Sequence, residues 1–352
     1  MDCTGIPGAP TPERRLGAFP RRGQPQSPCR SAAVSLSPDT DSVGLVGTDV
    51  SNRPNQPTKP VIGMIGMIGV IGDLVDDVVV RLGGPINVAS DTASLIQRRR
   101  GGSAANVAVA VIAAGGSARF IGQVGEDDAG AALVRSLMEV GVETRVRLGG
   151  RTGTVVVLLA EDGERTMLTD RGAAADLTDP DPEWLDGLAA VHVPLYSLLT
   201  GPLATTAATL VGWAHDRGLP VSIDASSVSA IESFGIENAV ALLRSLRADV
   251  LLCNAAEGAT LGRVTPLTEL GAATVVVKRG AGVATLLRAH TDSVTVPAMP
   301  LAEVRDTTGA GDAFAAGYLV AMLRGDNAAC ALMNAHAMAA DAIRAASVTR
   351  SG

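Results

Sequence analysis

Between about residues 176 and 277 the chain alternates short apolar runs with longer amphipathic ones, a rhythm that leaves few folds open. The runs at 189–193, 220–224, 249–252 and 273–277 are too short for core helices and too apolar for strands with a wet face. Between them, 201–217, 236–247 and 254–261 carry helical patterns. Such alternation predicts an α/β fold, a mostly parallel sheet covered by helices on both faces. Sheets of this kind bind ligands at the carboxyl ends of their strands. The polar groups to watch are therefore those just after these runs: Asp224, Asn254 with Glu257, and Lys278.

The sequence at 61–71, Val-Ile-Gly-Met-Ile-Gly-Met-Ile-Gly-Val-Ile, predicts a buried strand ending at Gly72-Asp73. It lacks the Gly-x-Gly step of a dinucleotide fingerprint, and the chain has no Gly-x-x-x-x-Gly-Lys-Ser/Thr loop. Short alternating pieces at 78–82, 86–89 and 93–97 predict antiparallel strands outside the main sheet, with Arg98-Arg99-Arg100 facing solvent. Gly101-Gly102-Ser103-Ala104-Ala105-Asn106 then opens a helix over 107–114, followed by a strand at 119–121 and a helix running to Val140. Strands at 142–148, 154–160 and 165–168 follow. Near the end, strands at 283–288 and 293–296 precede helices at 310–324 and 327–346.

The stretch Asp306-Thr307-Thr308-Gly309-Ala310-Gly311-Asp312-Ala313-Phe314 lies between the last strand and an Ala-rich helix. Small residues at 309–311 let bare amides crowd at a helix N-terminus, which attracts anions. Asp312 sets a carboxylate beside that anion site. One use of the pairing is a base that deprotonates a hydroxyl while the amides stabilise a transferring phosphoryl group. The other reading is a Gly-rich turn that merely caps a buried helix. Asn254 and Glu257, three apart at a helix start, read on their own as an N-cap and a first-turn acid.

Composition narrows the partners. Aromatic residues are 2% of the 352, which disfavours base-stacking platforms, and the net charge of −7 gives no electrostatic grip on nucleic acid. No uninterrupted apolar run is long enough to span a membrane. Cys3, Cys29, Cys253 and Cys330 show no Cys-x-x-Cys spacing, so neither a zinc site nor a disulfide framework is expected, and a cytoplasmic location fits. Residues 1–60 hold 10 of the 19 prolines and show no sustained period, which predicts a disordered leader ahead of a domain over 61–352. Met64 or Met67 offers an alternative start for that domain.

Three motifs in order, Gly101–Asn106 through Gly125-Glu126-Asp127-Asp128-Ala129-Gly130, Asn254-Ala255-Ala256-Glu257, and Asp306–Phe314, resemble those of the PfkB/ribokinase family of carbohydrate kinases over roughly 61–352. The resemblance implies a ribokinase-like three-layer sandwich with a small β-sheet lid, built from strands within about 74–99 and 142–168. It implies ATP-dependent phosphorylation of a hydroxymethyl group on a ribose-like or other carbohydrate. Asp312 would be the base, and the amides of Gly309, Ala310 and Gly311 the anion hole. Asp77, five residues after Gly72, would bind substrate with Gly101, Gly102, Ser103 and Asn106; Asp76 is its rival. Asn254, Lys278, Gly280, Gly282 and His336 would serve ATP. Asn254 and Glu257 would organise Mg²⁺ largely through water, and Asp306 and Thr308 resemble positions that hold a monovalent cation such as K⁺ in some members. The chain stops soon after Val348, where a family member normally continues. Lid strands often pair across a two-fold axis, so a homodimer is expected. Two other readings stand beside the sugar kinase: a nucleoside kinase, for which Tyr196 is the aromatic to watch, and a non-catalytic sugar-binding regulator.

Overall fold

The computed structural model describes residues 66–160, 165–302, 304 and 307–348. The leader 1–60, Asp306 and the last four residues lie outside them.

A nine-stranded sheet carries the molecule. Its strands are β1 (Met67–Ile71), β4 (Ser117–Val124), β5 (Glu143–Leu148), β8 (Leu188–Pro194), β9 (Val221–Asp224), β10 (Val250–Asn254), β11 (Thr274–Lys278), β12 (Val283–Leu287) and β13 (Val294–Pro297), in the order β13-β12-β11-β10-β9-β8-β1-β4-β5. All neighbours from β5 to β11 pair in parallel, and β12 and β13 add antiparallel at one edge. Successive residues of a strand point to opposite faces, so Leu251 and Cys253 enter one apolar cluster while Leu252 enters the other. The cluster containing Leu252 packs beneath α1 (Ser103–Ala113), α7 (Ala310–Leu323) and α8 (Ala328–Val348). The opposite cluster packs beneath α3 (Gly201–Asp216) and α5 (Ile236–Leu246). The result is the three-layer α/β sandwich read from the sequence. Helices α2 (Asp128–Glu139), α4 (Val228–Phe234) and α6 (Ala255–Leu261) complete the layers. The short α4 escaped the sequence pattern, having too few turns to show a period.

A second sheet of four strands stands apart, in the order β3 (Ser94–Gly101), β2 (Val75–Leu82), β6 (Thr152–Leu159), β7 (Arg165–Gly172). It corrects three expectations. Residues 86–89 are no strand: the Ser90 amide donates to the Asn87 carbonyl in a turn, with Ala89 at φ 60°. The sheet is mixed rather than antiparallel, because β2 and β6 run in parallel. And Arg100, at the end of β3, is half-buried rather than solvent-facing. Asp127 fixes the sheet to α2: its carboxylate accepts from the Gly130 amide at the helix start and from the Thr152 amide and hydroxyl of β6, at 2.6–2.8 Å.

Cys253 is a buried free thiol. Among the described residues, no helix is long and apolar enough to cross a membrane.

Candidate active site

The N-termini of α1 and α7 meet above the carboxyl ends of the parallel strands, and their side chains interlock. Asp312, in the first turn of α7, accepts from Ser103 Oγ at 2.6 Å and from Asn106 Nδ2 at 3.2 Å. Burial pushes its pKa up to about 6, partly offset by the Ser103 hydrogen bond and raised further by Asp224. A carboxylate held near 6 is ionised at neutral pH yet basic enough to accept a proton.

Two glycines make this meeting possible. Gly102 sits at φ 96°, and a Cβ there would stand 2.1 Å from the Asp73 carbonyl oxygen. A Cβ on Gly101 would stand 1.9 Å from Asp77 Oδ1. The Asp77 carboxylate thus lies directly on the Gly101 backbone, and burial lifts its pKa to about 6, with Arg99 opposing the rise. Asp77 and Asn106 border one cavity, together with Thr308 and Gly309. Asp76, the rival, does not border that cavity; it is buried and takes Nε of Arg98 at 2.8 Å.

Gly309 caps α7 at φ 75°. The Ala310 amide donates to the Thr307 carbonyl at 3.1 Å, so it is spent within the turn. The amides of Gly309 and Gly311 have no protein acceptor among the described residues. From the lid, Arg165 Nη2 donates to Thr307 Oγ1 at 3.1 Å and Nη1 donates to Thr308 Oγ1, so β7 touches the loop before α7.

Lys278 ends β11 and Asp224 ends β9; their charged atoms lie 2.5 Å apart, both largely buried. The ammonium is also close to Gly311, 3.7 Å from where a Cβ would stand. Burial alone would lower the Lys278 pKa, but Asp224, Glu257 and Asp312 reverse that, and the net shift is upward. Lys278 is therefore a fixed positive charge beside Asp312. Gly280 and Gly282 follow in an exposed turn, with the Gly282 amide on the Arg279 carbonyl at 2.9 Å.

Asn254 and Glu257 form a capping box at α6: the Asn254 side-chain Oδ1 accepts from the Ala256 and Glu257 amides, and Glu257 Oε2 accepts from the Asn254 backbone amide at 2.7 Å. Glu257 Oε1 carries no protein hydrogen bond among the described residues. Among those residues no three His, Cys, Asp or Glu side chains converge to hold a metal directly. His336 does not reach the cavity. It is buried, bonded to the Val296 carbonyl at 3.1 Å and set edge-on to Phe314.

Sequence reasoning passed over one group near Asp312. Arg171, at the end of β7, grips the buried Asp73 with two hydrogen bonds of 2.7 Å and lies over the Tyr196 ring. The Tyr196 hydroxyl accepts from the Ser103 amide at 3.2 Å. Through Arg171 of β7, this chain of contacts joins Asp73 and the small sheet to Tyr196 and so to Ser103, the residue that bonds Asp312. No local pattern marks it, since its members come from four separate segments.

Solved structures share this fold of a large parallel sheet between helices with a small second sheet. An adenosine kinase from Sinorhizobium meliloti superposes with a TM-score of 0.70 at 23% identity, covering 80% of this chain and 94% of that one. A ribokinase from Arabidopsis thaliana complexed with ribose and ATP gives 0.66 at 24% identity, covering 80% and 93%. The family model for the pfkB family carbohydrate kinases matches residues 67–351, and the chain belongs to that family of ATP-dependent enzymes. Among sequence relatives, an ATP-dependent ribose-1-phosphate kinase from Halopiger xanaduensis is 32% identical over 262 residues, 72% of this chain and 83% of that protein. A fructokinase from Klebsiella pneumoniae is 34% identical over 238 residues, 63% and 76% of the two chains.

Proposed function

We propose that the chain transfers the γ-phosphoryl group of ATP to a hydroxymethyl group of a carbohydrate, with Asp312 as the base. The observation that carries this reading is Asp312 itself. It is lifted to about 6, sits one residue from the unspent Gly311 amide, and is held by two donors from the helix that opens the acceptor cavity.

In the step, the hydroxyl oxygen bonds to the γ-phosphorus as the bond to the β–γ bridging oxygen breaks. ADP leaves, and the hydroxyl proton passes to Asp312. An ionised carboxylate has room for about four hydrogen bonds, so the acceptor hydroxyl can join Ser103 and Asn106 without displacing both. Developing negative charge meets the Gly309 and Gly311 amides at the positive end of α7 and the Lys278 ammonium behind them. Arg165 links lid to loop, which favours exclusion of water, the competing acceptor.

Mg²⁺ supplies charge neutralisation on the phosphates. A structural neighbour from Escherichia coli, described as a ribokinase II, is in complex with ATP and Mg²⁺. In this chain Glu257 Oε1 and the neighbouring Asp224 fit an ion held through water, since Mg²⁺ keeps several of its waters. The domain over 61–352 is the working unit of the proposal, and a homodimer formed through the outer face of the lid is its expected form.

The relatives' names divide the acceptor between free and phosphorylated sugars. The test of the class is ADP release with ATP, Mg²⁺ and a panel of sugars, sugar phosphates and nucleosides. Turnover confined to nucleosides would replace this reading by the nucleoside kinase. Saturable sugar binding with no turnover would replace it by the regulator.

A further inference from the structure

The first turn of α1 has no cap of its own. Its N-cap is Gly102, which carries no side chain to accept from the amides that follow, and Ser103, the first helical residue, gives its hydroxyl to Asp312. The helix ladder begins only with the Asn106 amide, on the Gly102 carbonyl at 3.0 Å. The amides before it need acceptors from elsewhere. Among the described residues one side chain supplies one: Tyr196, 93 positions further along, whose hydroxyl oxygen takes the Ser103 amide at 3.2 Å.

Tyr196 is itself held. Arg171 lies over its ring, with Cζ 5.3 Å from the centroid, and Arg171 Nη1 stands 3.5 Å from its backbone carbonyl, while Nε and Nη2 are spent on Asp73. Burial, with Asp73 and Asp312 nearby, pushes the Tyr196 pKa well above the usual tyrosine value, so its oxygen accepts as a neutral phenol. A phenylalanine ring would fill the same place beneath Arg171; what the hydroxyl adds is the bond to α1. That bond matters because both donors to Asp312, Ser103 Oγ and Asn106 Nδ2, stand on the first four residues of the helix. A shift of that turn moves both at once, and the Asn106 bond, at 3.2 Å, is already near the long end of the normal range.

We propose that Tyr196 is a positioning residue for phosphoryl transfer: as an external cap it fixes the start of α1, and with it the two donors that orient Asp312, while Arg171 ties that cap to the four-stranded sheet. The proposal rests on the kinase reading above and goes beyond it, since it makes the orientation of Asp312 depend on β7.

The test uses the full chain, and its first measurement needs no substrate. Hydrogen–deuterium exchange over residues 103–106 should be at least about threefold faster in Tyr196→Phe than in the parent, the scale of one neutral hydrogen bond. Unchanged exchange overturns the proposal. The second measurement uses ATP, Mg²⁺ and the acceptor that gives most ADP release. In Tyr196→Phe kcat should fall by about threefold to tenfold, with KM for ATP within about twofold of the parent's, because the reacting groups are misplaced and the nucleotide is not. A lower melting temperature with kcat unchanged would mean that the hydroxyl serves only the fold, and overturns the proposal. So does a change confined to KM for the acceptor, since Tyr196 would then be touching substrate.

Arg171→Lys tests the tie to the sheet, because lysine keeps the charge and loses the planar face. It should slow kcat in the parent and slow it less in Tyr196→Phe, where the hydroxyl it acts through is gone. Equal slowing in both backgrounds overturns the part given to Arg171. If Arg171→Lys fails to fold, Tyr196→Leu, which removes the ring face as well, decides the point: exchange over 103–106 faster than in Tyr196→Phe supports the tie, and equal exchange overturns it. Absence of ADP release with every acceptor would instead sink the kinase reading, and the exchange measurement would still decide whether Tyr196 caps α1.

Discussion

The Ser103 hydroxyl donates to Asp312 Oδ1 at 2.6 Å, joining the first residue of α1 to the first turn of α7. The bond has two effects. It fixes the carboxylate in one orientation, and it favours the ionised form, lowering a pKa that burial raises. Asp312→Asn should therefore lose kcat by at least about 10²-fold, the scale of general-base catalysis. Ser103→Ala should lose less, and should keep a pH-dependent rate. Steady-state kinetics of the two variants check this, and near-normal turnover in Asp312→Asn would remove the base from its assigned role.

The pH profile follows from the same group. Asp312 must be ionised to accept a proton, so kcat/KM should rise with pH through about 6 and level off above it. Ser103→Ala should move that limb to higher pH, by on the order of half a unit, because a donor to the charged form is lost. Asp77 also lies at about 6, so Asp77→Asn is the control: the limb persists there if it belongs to Asp312. The stability effect has the opposite sense. A carboxylate whose folded pKa is raised destabilises the fold as pH climbs from its ordinary value near 3.8 through about 6. Asp312→Asn should accordingly melt higher than the parent at pH 7–8, with the gap closing towards pH 4.

Arg171 and Asp73 make the next prediction. Both are largely buried, with side-chain exposures of 21% and 7%, and two hydrogen bonds of 2.7 Å join them. Asp73→Asn leaves the guanidinium without its counter-charge, and breaking such a pair typically costs about 3–5 kcal/mol. A clear drop in melting temperature is expected. Tyr196→Phe removes only the acceptor for the Ser103 amide, so it should change kcat more than stability. If Asp73→Asn melts like the parent, the pair does not anchor the lid.

The parallel frame was legible because buried strands and amphipathic helices have different periods: β8 to β11 fell within a residue or two of their expected places. Asp312, Gly309 and Asn106 were legible for another reason, since helix-start chemistry is local and leaves a motif. What was not legible depends on pairing between distant segments. Arg98, Arg99 and Arg100 read as one solvated run, yet Arg98 bonds Asp76, Arg99 stands opposite Asp77, and Arg100 makes no ion pair or hydrogen bond among the described residues. Arg171 finds Asp73 across 98 positions. The parallel pairing of β2 with β6 was equally hidden, because alternation fixes which face a residue takes and not which strand lies beside it.

The lid supplies the last prediction. Cross-strand register places Ile96 beside Val80, Val80 beside Leu158, Val78 beside Val156, and Val156 beside Leu168. All six lie on one face and cross all four strands. Ile96 and Leu168 are 60% and 56% exposed, whereas Val79 and Val157, on the other face, are buried. A continuous apolar stripe on an open sheet face is unusual for a monomer, and a two-fold axis would cover it with the same stripe from a second copy. Sedimentation equilibrium should give twice the chain mass, and the double variant Ile96→Glu with Leu168→Glu should give the chain mass with an unchanged circular dichroism spectrum. Neither residue borders the cavity, so a fall in kcat on dissociation would mean that the partner steadies the lid. A parent protein that sediments as a monomer at micromolar concentration would leave the face without a self-partner.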